Sequence, residues 1–224
     1  TNIWTQSHWG GIKNSSYCEP PAPFSIREPI NSWSNTVYLI VSVGIFRRLR
    51  YATDVEVVKR QFFLATIALT FVGLSVSSFY FHASFVRGWR SADKAFTRAA
   101  PIALFGYCLF RLTQGWLANG LFAATVIVQS LAFMWGSQPV FIVTISGLVL
   151  IELVVRPVRR WSSAQAWLLS ATSLLLFGVS FAIRELEVSG ELCLFSVWFQ
   201  PHAVWHVGTA AASALQLYAW RDDI

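Results

Sequence analysis

The sequence predicts an all-α fold, a bundle of seven transmembrane helices built by a single domain over residues 1–224. Three observations lead there. Of the 224 residues, 55% are hydrophobic and only 12% are charged, against roughly 25% charged residues in a soluble globular domain. The stretches from Gln61 to Phe79 and from Ala164 to Ala182 contain no Asp, Glu, Lys or Arg, and each approaches the ~20 residues that cross a bilayer as helix. The cations behind the net charge of +6 sit in short clusters between apolar runs, a pattern that sets membrane topology. No run of Lys or Arg interleaved with aromatics marks a polar face, so nucleic acid is not an expected partner.

In chain order, residues 1–30 are polar, aromatic and proline-containing. They lack the basic start, short apolar core and small-residue cleavage site of a targeting peptide, and are expected to form an ordered extracytoplasmic segment. The spans are expected at 31–47, 61–82, 91–111, 117–135, 138–155, 165–184 and 200–220. The fifth and sixth are separated by Arg156, Pro157, Arg159 and Arg160, a helix stop and a basic turn. These cations, with Arg47, Arg48, Arg50, Lys59 and Arg60 between the first two spans and Arg111 after the third, belong on the cytoplasmic side. The N-terminus is then outside and the C-terminus cytoplasmic. A loop carrying Glu185, Glu187 and Glu191 is expected outside, while Arg87 and Arg90 fall outside against the rule. No repeat or low-complexity linker divides the chain. Of three cysteines, Cys108 falls inside the third span, whereas Cys18 and Cys193 share the outer side. Either those two form a disulfide in an oxidising lumen or periplasm, or they are unpaired thiols.

Ionisable residues inside apolar helices are costly and call for a reason. Three of the four histidines lie there: His82 closing the second span, His202 and His206 in the seventh. His202 and His206, four residues apart, project from one helical face. With the second span running outward and the seventh inward, all three reach the same outer third of the membrane. Three neutral imidazoles with an open fourth position make a catalytic zinc site, where coordinated water acquires a pKa near ~7. Asp93, opening the third span at that level, is the candidate proton acceptor; its competing reading is an ion pair with Arg90 or Lys94. Ser78 stands one turn before His82 on the same face, with Ser77 a near-equal competitor and interhelical hydrogen bonding the ordinary use of either. His8 reads as a surface residue.

The residues Ser78-Phe-Tyr-Phe-His82, then Asp93, then His202-Ala-Val-Trp-His206 resemble the metal-site pattern of the alkaline ceramidases and of the wider membrane hydrolase superfamily that also holds adiponectin-receptor-like proteins and GPI-remodelling lipases. Tyr17-Cys18-Glu19 and Glu28-Pro-Ile-Asn31-Ser-Trp33-Ser34-Asn35 resemble the ceramidase branch in particular. The resemblance implies a seven-helix bundle with zinc on His82, His202 and His206, Asp93 as proton acceptor and Ser78 supporting the oxyanion. It implies a ceramide-like membrane lipid as substrate, cleaved at its amide to a sphingoid base and a fatty acid, in an integral membrane protein whose site faces the extracytoplasmic side. The superfamily also hydrolyses esters.

The chain departs from that family at the calcium site. Ser16 and Pro21 stand at ligand positions, and Glu19 and Glu28 alone supply fewer anionic oxygens than calcium needs. They are weak calcium candidates, and calcium is not expected. Glu28 is expected to pair with Arg27 or to cap the first helix. Rival readings are a haem protein using two of the histidines as axial ligands, and a receptor or transporter with structural zinc. A retinal Schiff base is excluded by the absence of lysine from the last span. The sequence names no protein partner.

Overall fold

The computed structural model describes residues 17–22, 25–49, 54–112, 138–155, 163–193 and 199–221, with positions 120, 123, 124 and 127. Regular structure among them is helical: α1 (Pro29–Ser34), α2 (Thr36–Phe46), α3 (Val55–Ser84), α4 (Arg87–Leu112), α5 (Gln138–Leu150) continued by a π-helical turn (Ile151–Val155), α6 (Ala164–Val188) and α7 (Pro201–Ala219). Two helices, over Val57–Ser84 and Ala164–Val188, are long and apolar enough to cross a membrane. The expected fourth span, the basic turn after the fifth, and His8 lie outside the described residues, isolated positions of the fourth span apart.

Two boundaries differ from expectation in ways that matter. The first span is two helices, because Asn35 turns back on α1: its amide Nδ2 donates to the Asn31 carbonyl at 2.7 Å and its backbone N–H to Ser32 at 3.2 Å. The second difference is a correction. Glu185 and Glu187, expected in a loop, lie within α6, which continues to Val188. The charged residues end the apolar run but not the helix, since Glu and Arg are good helix formers.

Local chemistry explains the helix starts. Pro29 and Pro201 open α1 and α7, where the missing N–H has no intrahelical partner to lose. Ser163 caps α6 by accepting from the Ala166 N–H at 3.1 Å. Between α3 and α4 the chain reverses through Phe85, whose φ of +56° lies in the left-handed region. Burial of its ring and the Arg27 guanidinium 5.8 Å above it hold that conformation.

The helices close a ring, α2 on α3, α3 on α4, α4 on α5, the π-helical turn on α6, α6 on α7 and α7 back on α1 and α2. Hydroxyl-to-carbonyl bonds fix the registers. Ser42 donates to Ala68 and Ser75 to Asn35, so α2 and α3 are antiparallel; Ser173 donates to Ala212, as antiparallel α6 and α7 require. Helix α5 is parallel to α4, because Gly147 meets Phe105 while Glu152, further on, meets Cys108. Aromatic and aliphatic side chains such as Phe63, Ile67, Phe71, Tyr107 and Trp220 fill the ring. At one end, buried Glu152 in the π-helical turn accepts from Cys108 Sγ at 3.2 Å, Ser170 Oγ at 3.0 Å and Trp220 Nε1 at 3.0 Å, tying four elements together. The opposite end gathers the C-termini of α3 and α6 with the N-termini of α4 and α7.

Candidate metal centre

That end holds all three expected ligands. His82 sits in the last turn of α3, and His202 and His206 in the first turns of α7. They are 0%, 4% and 3% exposed, and one ligand atom from each lies within 4.8 Å of the others.

Each imidazole is held from behind at Nδ1. Glu28 Oε2 lies 2.5 Å from Nδ1 of His82, Glu187 Oε2 lies 3.2 Å from Nδ1 of His202, and Ser34 Oγ lies 2.7 Å from Nδ1 of His206. Ionised carboxylates only accept, so both neighbouring rings carry their proton on Nδ1. The Ser34 hydroxyl donates to the Asn31 carbonyl at 2.9 Å and so accepts from His206. All three Nε2 lone pairs are left for the centre. His82 Nε2 is buried with no hydrogen-bonding partner among the described residues, a costly arrangement that a cation would satisfy. The residues present therefore fit a metal ion.

Glu28 does stand at the N-cap position of α1, as one of the two expectations had it, but its side chain makes no capping hydrogen bond; the carboxylate goes to His82 and to the Asn31 amide, at 3.2 Å, instead. Its backbone N–H donates to the His82 carbonyl at 3.1 Å, and Arg27 N–H to Ala83 at 3.1 Å, docking the N-terminal segment on the end of α3. The carboxylate that bonds the first turn of α1 is that of Glu19, which accepts from Ile30 and Asn31 N–H at 2.8 Å each. Burial raises the Glu19 carboxyl above its ordinary range despite those two donors. Both weak calcium candidates are engaged by protein.

No protein-family model matches the chain, and no curated protein matches it at a significant level. What the site does has to be read from its chemistry.

A cavity of about 390 Å³ opens beside the histidines, lined by Ser78, Asp93, Tyr17, His202 and His206 among others. Ser78 and Asp93 line this cavity together, which separates Ser78 from Ser77, whose hydroxyl turns back to the Gly73 carbonyl at 2.7 Å. Tyr17 lies on His202 with ring centroids 3.7 Å apart. Burial, and next the charge of Asp93, raise its phenol well above the usual range, so it stays an O–H donor. Cys18 is disulfide-bonded to Cys193, and its backbone N–H donates to Glu187 Oε1 at 3.1 Å.

A second, apolar cavity continues from the first. Tyr38, Leu74, Thr97 and Trp205 line both. Deeper in, the wall is Phe71, Leu104, Leu148, Leu174 and Phe177. Pro101 within α4 also lines it; lacking an N–H, it frees the Thr97 carbonyl at the junction.

Proposed function

We propose that this protein is a zinc-dependent intramembrane hydrolase that cleaves a lipid amide, with a ceramide-like substrate giving a long-chain amine and a fatty acid. The observation behind this reading is the convergence of three buried imidazoles, each with Nδ1 engaged and with one ligand atom within 4.8 Å of the others. The apolar cavity joined to the polar one supports an amphiphilic substrate, whose chain occupies the slot while its carbonyl lies at the histidines. His82, His202 and His206 would hold the zinc, which would supply a Lewis acid for the carbonyl and a water of lowered pKa.

The chain's own residues perform the remaining work. Asp93 takes the proton of the attacking water and returns it to the departing amine as the C–N bond breaks. The Ser78 O–H, in the same cavity wall, donates to the developing oxyanion. Glu28, Glu187 and Ser34 hold the three rings in the tautomer that binds metal.

Seven spans, with N-terminus outside and C-terminus cytoplasmic, are part of the proposal. The parallel course of α4 and α5 supports an odd number of crossings between them, which the expected span at 117–135 supplies. The lipid-facing surface of α6 is supported by the exposure of Leu168, Leu175 and Val179. A multi-pass arrangement of this kind puts the histidine end on the extracytoplasmic side.

The test is metal analysis of purified protein joined to mass spectrometry of lipids after incubation. About one zinc per chain and release of free fatty acid from amide lipids are expected. Both should vanish in His206→Ala and after stripping with a zinc chelator, and turnover should return when zinc is restored. Bound zinc without fatty acid from any amide or ester lipid would instead favour a receptor or transporter.

A further inference from the structure

Three cations line the polar cavity besides the groups assigned above. Lys94 and Arg98 stand one turn apart on α4, and Arg184 projects from α6. Arg184 is ion-paired with its neighbour Glu185, which lines the same cavity. Lys94 and Arg98 make no ion pair among the described residues. Asp93 is the other carboxylate in the wall. The wall therefore carries three positive charges against two negative ones, with a divalent cation to be added beside it. Arg90, Arg98 and Arg184 all lie near enough to repel the Lys94 ammonium. Lys94 is exposed and Arg98 and Arg184 are half-buried, so their charges reach solvent while giving the cavity a field that favours an anion, and Glu28 and Glu187 are committed behind the histidines.

We propose that Lys94 and Arg98, with Arg184 opposite, bind an anionic group on the headgroup of the lipid substrate, so that the preferred substrate is an amide lipid bearing a phosphate or carboxylate near the amide. Lys94 and Arg98 flank in sequence Thr97, which lines both the polar chamber and the apolar slot. An amphiphile with its chain in the slot and its carbonyl at the histidines presents its headgroup to this wall. The proposal rests on the hydrolase reading for its chemistry, and on the cavity wall alone for its charge preference.

The experiment compares ceramide with its 1-phosphate in mixed micelles, same acyl chain, using the zinc-loaded wild type and Lys94→Gln/Arg98→Gln. The wild type should favour the phosphorylated lipid in kcat/KM by about tenfold or more, as expected of charge-assisted contacts. That ratio should collapse in the double variant and return in Lys94→Arg/Arg98→Lys, with zinc content unchanged throughout as the check on folding. Equal or better cleavage of the neutral lipid by wild type overturns the proposal and leaves the hydrolase reading standing. Two competitors separate the sources of the anion: inorganic phosphate, and the matching free fatty acid. If the double variant loses only inhibition by the fatty acid, the wall serves the product carboxylate and the headgroup assignment is wrong. If neither lipid is cleaved, the hydrolase reading fails, and retention of the two lipids by purified protein in native mass spectrometry decides the charge preference: selective retention of the phosphorylated lipid supports it, equal retention overturns it.

Discussion

A histidine can present either ring nitrogen, and the partner on one decides what the other can do. With Nδ1 engaged on His82, His202 and His206, the three rings are prepared as ligands, and Asp93 is the group left to move protons. Asp93→Asn should therefore keep its zinc and lose turnover by about 10²–10⁴-fold, the usual range for a general base; an active, zinc-replete variant would remove Asp93 from that role. The serine pair gives a sharper comparison. Ser78 lines the cavity with Asp93, whereas Ser77 bonds back to its own helix. Steady-state rates should fall roughly 10²-fold in Ser78→Ala, while Ser77→Ala should stay near wild type; equal losses would mean that neither hydroxyl acts at the site. The three imidazoles were legible in the sequence because ionisable groups in apolar helices stand out. Their supports were not. Glu28, Ser34 and Glu187 lie 54, 172 and 15 residues from the rings they hold, and no local spacing distinguishes Glu187 from Glu185.

Helices were legible wherever an apolar run was long, as in α3 and α6, and their ends were not. Hydropathy reports where apolar side chains stop, whereas a helix stops where its backbone loses partners, so α6 runs on through Arg184, Glu185 and Glu187. The break at Asn35 was equally invisible, since it depends on a side-chain amide turning back on the Asn31 carbonyl. Close packing of elements leaves a fainter trace still. Gly208 on α7 faces Ser180 on α6, and a Cβ there would clash with the Ser180 hydroxyl oxygen. Small residues at such a contact let two helices approach closely, and the same contact sets α7 against the end of α6 that carries Glu187. Gly208→Ala should push the helices apart at a cost of about 1–3 kcal/mol. Thermal unfolding in detergent should show a lowered Tm, and Gly208→Ala/Ser180→Gly should recover most of it by removing the clash. No recovery would show that the contact is not what limits the helix spacing.

At the level of the whole molecule, the site is assembled from both ends of the chain. The N-terminal segment reaches the metal centre by three routes: Glu28 on His82, Tyr17 on His202, and Cys18, whose N–H holds Glu187 and whose sulfur is bonded to Cys193. The shared outer side of Cys18 and Cys193 made a disulfide between them the expected pairing over two unpaired thiols, and it forms across 175 residues. The bond's position makes it a support for the histidines as well as a cross-link. It fixes the backbone N–H that orients Glu187, and Glu187 in turn orients His202. Cys193→Ser should therefore lower the Tm, and it should also weaken zinc binding toward the roughly 10–100-fold loss typical of removing a partner behind a ligating histidine. Chelator competition measures the second effect separately from the first. Glu187→Gln supplies the reference, since it alters the same support without touching the disulfide. If Cys193→Ser loses stability but holds zinc as tightly as wild type, the cross-link only staples the chain; if Glu187→Gln also holds zinc unchanged, the carboxylate behind His202 plays no part in metal binding.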